Sequence, residues 1–269
     1  MLKTRVITAV ILVIGFLLAL FLLSSFWWSL LVLLAILFAA HEWSRLWSFG
    51  RGQEFGYLLF IAGTGLIARF VWPPHDLVAS LYACAVLFWF IAVPIWFYSG
   101  WPAVSKWIAA AAGWLILLST WFAMTDLQAL GPLWLLAAMA LVWVADIAAY
   151  FAGRGFGRRK LAPAISPGKT WEGVAGGLVA VLLYTALSVL AWHRAQADTA
   201  GLGWQAWAEW LLLAAVMCGI SVLGDLFESA VKRRAGVKDS GTLLPGHGGV
   251  LDRVDALLPV LPLAALIFA

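Results

Sequence analysis

"MLKTRVITAVILVIGFLLALFLLSS", Met1 to Ser25, decides what kind of chain this is. A cleaved leader has a short apolar middle, a small-residue cleavage site and polar sequence beyond it. Here the apolar run is longer, and more apolar sequence follows at once. The stretch reads as a retained first membrane span. The remainder agrees: 64% of the 269 residues are hydrophobic and 11% are charged, against about 25% charged in soluble domains. A soluble core could not hold so much apolar surface. The chain is therefore expected to be an all-α, polytopic transmembrane helical bundle. Its 18 tryptophans suit membrane–water interfaces. Cys84 and Cys218 fall inside apolar segments and read as small core residues, not as a disulfide or metal ligands.

A crossing helix needs about 20 apolar residues. Nine segments are marked, at 4–23, 26–47, 56–72, 77–99, 104–124, 131–152, 172–193, 207–230 and 250–269. The 56–72 segment is short, and the joint at Ser24-Ser25 is tight. Pro73-Pro74, Gly100 with Pro102, Gly131-Pro132 and the Gly-rich stretch before 250 supply the other boundaries. With the N-terminus in the cytoplasm, 17 Lys and Arg divide so that only Arg69 and Arg194 fall outside, as the positive-inside rule favours. Both long polar loops, 152–171 and 231–249, then face the cytoplasm. Residues 1–130 read as scaffold spans with dimer contacts, and 131–269 as a catalytic region with its site at the cytoplasmic face. The expected location is a bacterial inner membrane.

The acids are placed unusually. Asp146 lies about six residues from the inner end of span six, and Asp225 about five from that of span eight. Asp252 and Asp255 lie just inside span nine. All four thus sit within about one to two helical turns of one boundary. A carboxylate at bilayer depth costs about 2.5–3.5 kcal/mol, so it needs a partner or a function. Asp252 and Asp255 share a helix face near a helix start, where the dipole favours anions. Asp146 and Asp225 lie toward C-terminal ends, where it opposes them. Either ion pairs with Arg253 and Lys232 or bound divalent cations, which prefer oxygen ligands, must offset them. Glu228, three residues beyond Asp225, is a further candidate for the cluster. Glu42, beside His41, reads as an acid satisfied within the bundle.

Two basic stretches flank these acids. In "GRRKLAPAISPGKTWEG", Gly157 to Gly173, Ser166, Lys169, Thr170 and the amides of a helix start make an anion-binding corner. Glu172 suits the helix dipole, or reaches a metal or ribose. The "GKT" is not a P-loop, because Pro163 stands where that motif needs glycine. After span eight, Lys232, Arg233, Arg234 and Lys238 suit anionic lipid headgroups. His247 binds phosphate, carries a proton or is simply solvated. Acids able to hold metals beside cations able to hold phosphates point to phosphoryl or nucleotidyl transfer, between a lipid and a soluble nucleotide. A transporter would place its acids near the midplane, in repeated halves, and no repeat is present. Asp252 to Asp255 matches the D-x-x-D of CDP-alcohol phosphotransferases, but alanine follows instead of glycine.

Ser229-Ala-Val-Lys232-Arg233, then Lys238-Asp239 and "GTLLPGHGGVLDRVD" resemble the signature of phosphatidate cytidylyltransferases, over 27 consecutive positions. "DIAAYFAGRGFGRRKLAPAISPGKTWEG" and "SVLGDLFES" are similar to the same family, so the resemblance covers 146–255. Gly168 departs from it, standing where many members have lysine. The resemblance implies that CTP and phosphatidate give CDP-diacylglycerol and pyrophosphate, with Mg2+ and K+ as a second cation. It implies that Asp225, Asp252 and Asp255 hold the metals with Asp146 assisting, and that Ser166, Lys169, Thr170 and Glu172 hold CTP. Lys232, Arg233, Lys238 and His247 would hold the lipid phosphate or departing pyrophosphate. Membrane lipids and a second copy of the chain are the other expected partners; nucleic acid is not one.

Overall fold

The computed structural model describes residues 2–71, 75–195, 203–243 and 248–269. The Pro73-Pro74 boundary and His247 lie outside them. Helices α1 (Leu2–Leu22), α2 (Ser25–Leu46) and α3 (Arg51–Leu66) come first, and α3 widens into a π-helical turn at Ile67–Val71. Then come α4 (His75–Leu87), a second π-helical turn (Phe88–Ala92) and α5 (Val93–Tyr98). Pro94 has no N–H to return to the preceding turn, which accounts for the wider coil just before it. Next are α6 (Lys106–Leu130) and α7 (Pro132–Phe156), then strands β1 (Lys160–Ala162) and β2 (Ser166–Thr170). The chain ends with α8 (Trp171–Ala195), α9 (Trp204–Arg234), α10 (Leu251–Val254) and α11 (Leu257–Phe268).

The nine expected spans each find a helical counterpart, with corrections. Seven helical runs are long and apolar enough to cross a membrane, and the apolar parts Val10–Leu22 and Leu257–Phe268 are shorter. The segment expected to be short is in fact the run Arg51–Val71, because the polar turn at Arg51–Glu54 joins the helix. The ninth segment is not one helix: it breaks at Asp255-Ala256. Pro259 cannot donate to the Asp255 carbonyl one turn back. Gly224 of α9 packs there instead, so closely that a Cβ would stand 2.6 Å from that carbonyl oxygen. Asp252 and Asp255 therefore do not share one continuous helix.

At the centre lie α6 and α11, the latter buried from Leu257 to Ala265. Tryptophans also go inside, contrary to the interfacial placement expected. Trp28, Trp43 and Trp121 are buried, each donating its indole N–H to a carbonyl, of Met124, Ala109 and Ser29. This satisfies the one polar atom an indole carries. Cys218 is buried as expected, whereas Cys84 is exposed; both are free thiols. Arg69 meets Asp126 of α6 at 2.6 Å, and Tyr82 donates to the other oxygen at 2.7 Å. The three helices α3, α4 and α6 are tied by that network.

The contact that positions the site is the seam between α7 and α8. In lipid, helices associate by close packing, which small residues permit. A Cβ on Gly173 would stand 2.9 Å from the Ala149 carbonyl oxygen, and one on Gly177 2.9 Å from that of Ala145. At Gly176 it would collide with the Ala152 side chain. Replacing Gly176 with valine is therefore expected to cost about 1–3 kcal/mol by overpacking, read as a lower unfolding temperature in detergent. An unchanged temperature would mean the seam is loose.

Candidate active site

Three elements bring the polar residues together at one end of the bundle. The seam sets α7 beside α8, so Asp146 faces the strand β2 that leads into α8. β1 and β2 pair antiparallel, with Lys160 opposite Thr170. The expected anion-binding corner at Ser166–Thr170 is thus built on a short strand. Thr170, buried, accepts the Gly173 N–H on Oγ1 at 3.1 Å and so caps α8. Glu172 accepts the backbone N–H groups of Arg158 at 3.1 Å and Arg159 at 3.2 Å. That fixes the start of the hairpin against the start of α8. It is a structural use of Glu172 that its position in the sequence did not reveal.

Between α7, β2 and α9 lies a cavity of about 520 Å³, lined by Asp146, Ser166, Lys169, Thr170 and Asp225 among others. The Lys169 ammonium meets Asp225 at 2.6 Å, and Ser229 donates to the other Asp225 oxygen at 3.2 Å. Ser166, Lys169 and Thr170 thus do converge, and with two of the four aspartates. Asp255 lies beside them through the packing of Gly224 on its carbonyl.

Asp252 stands in a second group. Lys232 meets it at 2.6 Å, and it accepts the N–H of Ser240 at 3.0 Å and of Gly249 at 2.8 Å. Lys232 also pairs with Glu228, which is 1% exposed and whose carboxylate oxygens receive no well-aligned hydrogen bond. Lys232 and Glu228 thus form an ion pair one helical turn apart. Arg233 donates to the carbonyls of Ile165 at 3.2 Å and Val237 at 3.3 Å, bracing the hairpin against α9. Lys238 is exposed on the loop beyond.

Sequence reading missed how Glu42 is satisfied. It is buried, and its donors come from the loop before α10 and from that helix's first residue: the Ser240 hydroxyl at 3.0 Å, Val250 N–H at 3.0 Å and Leu251 N–H at 2.8 Å. Its neighbour His41 pairs with Glu54 at 2.5 Å. The only signal in the sequence was an acid at matching depth.

Among the described residues, no three His, Cys, Asp or Glu side chains are close enough to hold a metal ion. The donor chemistry nevertheless suits a hard cation. Asp146, Asp225, Asp255, Asp252 and Glu228 offer oxygen ligands; Lys169 pairs with Asp225, and Lys232 with Glu228 and Asp252. The carboxylates outnumber these two partners.

The whole chain is similar to known proteins. Residues 3–269 match the model of the Cytidylyltransferase family. A phosphatidate cytidylyltransferase of Pseudomonas aeruginosa is 39% identical over 280 residues, covering 100% of this chain and 98% of the relative. One of Haemophilus influenzae is 36% identical over 290 residues, covering 97% and 96%. One of Thermotoga maritima is 44% identical over 133 residues, covering 49% and 48%.

Capping gives a test of the local geometry. Thr170→Val should cost about 1 kcal/mol and Thr170→Ser much less, by thermal unfolding in detergent. Equal losses would show that the hydroxyl does not cap α8.

Proposed function

The chain belongs to the cytidylyltransferase family, and from that premise we propose that it transfers the cytidylyl group of CTP to phosphatidate. The products are CDP-diacylglycerol and pyrophosphate, and the enzyme is a membrane nucleotidyltransferase. The observation that carries the reading is the cavity in which Lys169, Ser166 and Thr170 meet Asp146 and Asp225. Its volume falls in the usual range of ligand pockets, about 300–1,000 Å³.

A phosphate oxygen of phosphatidate attacks the α-phosphorus of CTP. The new P–O–P link forms as the bond to the β-phosphate breaks, and pyrophosphate leaves with the electron pair. The phosphatidate oxygen is already ionised near neutral pH, so no strong general base is needed. The barrier is largely the repulsion of two anions, which fixed positive charge lowers. Lys169 would turn from Asp225 toward the triphosphate, with the Ser166 and Thr170 hydroxyls beside it. Glu172 would act by holding the hairpin, through the amides of Arg158 and Arg159. Lys232, Arg233, Lys238 and His247 are assigned to the lipid phosphate or the departing pyrophosphate. Arg233 contributes its charge from a braced position. The acyl chains remain in the bilayer and reach the site from the side.

Mg2+ is the proposed cofactor, with K+ as a second cation. Asp146, Asp225 and Asp255 would hold the ions, with Asp252 at the margin. Bound there, the cations would neutralise phosphate oxygens. The same reading puts the site at the cytoplasmic face of a bacterial inner membrane, and the chain in a homodimer.

Purified protein should move labelled CTP into a lipid extract when phosphatidate is present, and EDTA should stop it. Asp225→Asn and Asp252→Asn should each lower turnover by about a hundredfold or more while the protein still inserts. Undiminished turnover in EDTA would sink the metal assignment. No labelled lipid from the wild type would sink the reaction.

A further inference from the structure

Glu42 belongs to α2, far from the aspartates in sequence, and is 3% exposed. A buried carboxylate is costly unless donors surround it. Its hydrogen-bond donors among the described residues are the Ser240 hydroxyl and the Val250 and Leu251 amides. Ser240 and Val250 belong to the segment joining α9 to α10, and Leu251 opens α10. Val250 donates to one oxygen, while Leu251 and Ser240 share the other. The carboxylate thus ties Ser240 to the start of α10.

Asp252 grips the same segment from the opposite side, through the N–H groups of Ser240 and Gly249. Ser240 links the two acids: its hydroxyl goes to Glu42 and its amide to Asp252. The space between them admits no side chain at Gly249, where a Cβ would collide with the Ser240 hydroxyl and stand 2.6 Å from Glu42 Oε1. Gly241 lies equally close, with a Cβ there 2.9 Å from Glu42 Cδ. Through Asp252 the clamp reaches Lys232, 2.6 Å away. The cavity that holds Lys169, Thr170 and Asp225 is not lined by Glu42 or Ser240.

We infer that Glu42 is a positioning residue for the lipid-phosphate side of the site, acting by clamping the segment that orients Asp252 and Lys232. The inference rests on the reaction proposed above. Its mark is a fall in turnover without a matching loss of CTP affinity, because the nucleotide cavity is built from other residues.

The test uses the full-length protein in detergent with phosphatidate and CTP. Glu42→Gln keeps the shape but turns one acceptor into a donor that faces a donor. A displacement of about 1 Å at a catalytic group can cost about a hundredfold. Glu42→Gln is therefore expected to lower kcat about tenfold to a hundredfold, with the KM for CTP within about twofold of wild type. Ser240→Ala should lose severalfold and Ser240→Thr should recover most of it. The double variant Glu42→Gln/Ser240→Ala should be little worse than Glu42→Gln alone, since the two side chains act through one contact. Hydrogen exchange at the amides of Ser240, Val250 and Leu251 should quicken in Glu42→Gln.

Wild-type kcat in Glu42→Gln would overturn the inference, as would a KM for CTP that rises in step with the loss of kcat. If Glu42→Gln does not fold, the Ser240 pair decides: equal activity of Ser240→Ala and Ser240→Thr overturns it. A wild-type chain without any turnover would sink the reaction instead. Amide exchange then judges the clamp alone, and unchanged exchange in Glu42→Gln overturns it.

Discussion

The ion pair of Lys169 with Asp225 shows the constraint on which the polar end of this molecule depends. An anion set among apolar helices must meet positive charge or N–H donors. Asp225 lies on α9, and its partner ammonium comes from the hairpin between α7 and α8. Meeting that need pulls the hairpin over the end of α9. Arg233 repeats the tie in reverse by donating to Ile165 on the hairpin. Glu172 draws in the amides of Arg158 and Arg159, and Asp252 draws in those of Ser240 and Gly249. The loops at this end are short of apolar residues and have little core of their own. Their shape comes from acids that would otherwise be unpaired.

The apolar bundle supplies the frame on which these acids are hung. Close packing of Gly173, Gly176 and Gly177 on Ala145, Ala149 and Ala152 sets the spacing of α7 and α8, and with it the distance from Asp146 to β2. Pro259 and Gly224 do a related job at the other wall. The proline leaves the Asp255 carbonyl without its helical donor, and the glycine lets α9 press against it. A break in the last helix thereby brings Asp255 toward Asp225. Asp225, which draws in the hairpin, also faces the cavity, so there structure and chemistry draw on the same charge.

How much of this was legible in the sequence follows from the range of each signal. Runs of apolar residues are local, so the helices could be marked to within a few residues. The shared depth of Asp146, Asp225, Asp252 and Asp255 followed from those runs. The grouping of Ser166, Lys169 and Thr170 followed from a short motif. Partners far apart in the chain leave no local trace. Nothing near Glu42 announces that Ser240, Val250 and Leu251 will donate to it. Nothing near Arg69 announces Asp126 and Tyr82. The break at Asp255 was visible in principle, as Pro259 stands four residues on, but a long apolar run obscured it. Buried tryptophans such as Trp43 and Trp121 were misplaced because composition reports amphipathic rings, not which of them find a carbonyl inside.

The central claim is that acids from separate helices and the lysine of the hairpin together form one nucleotide-binding place. An experimental structure with Mg2+ and a non-hydrolysable CTP analogue tests it most directly. The account predicts the triphosphate in the cavity between α7, β2 and α9, with the Lys169 ammonium about 3 Å from a phosphate oxygen and no longer on Asp225. A nucleotide bound elsewhere, with the Lys169–Asp225 pair intact, would contradict it.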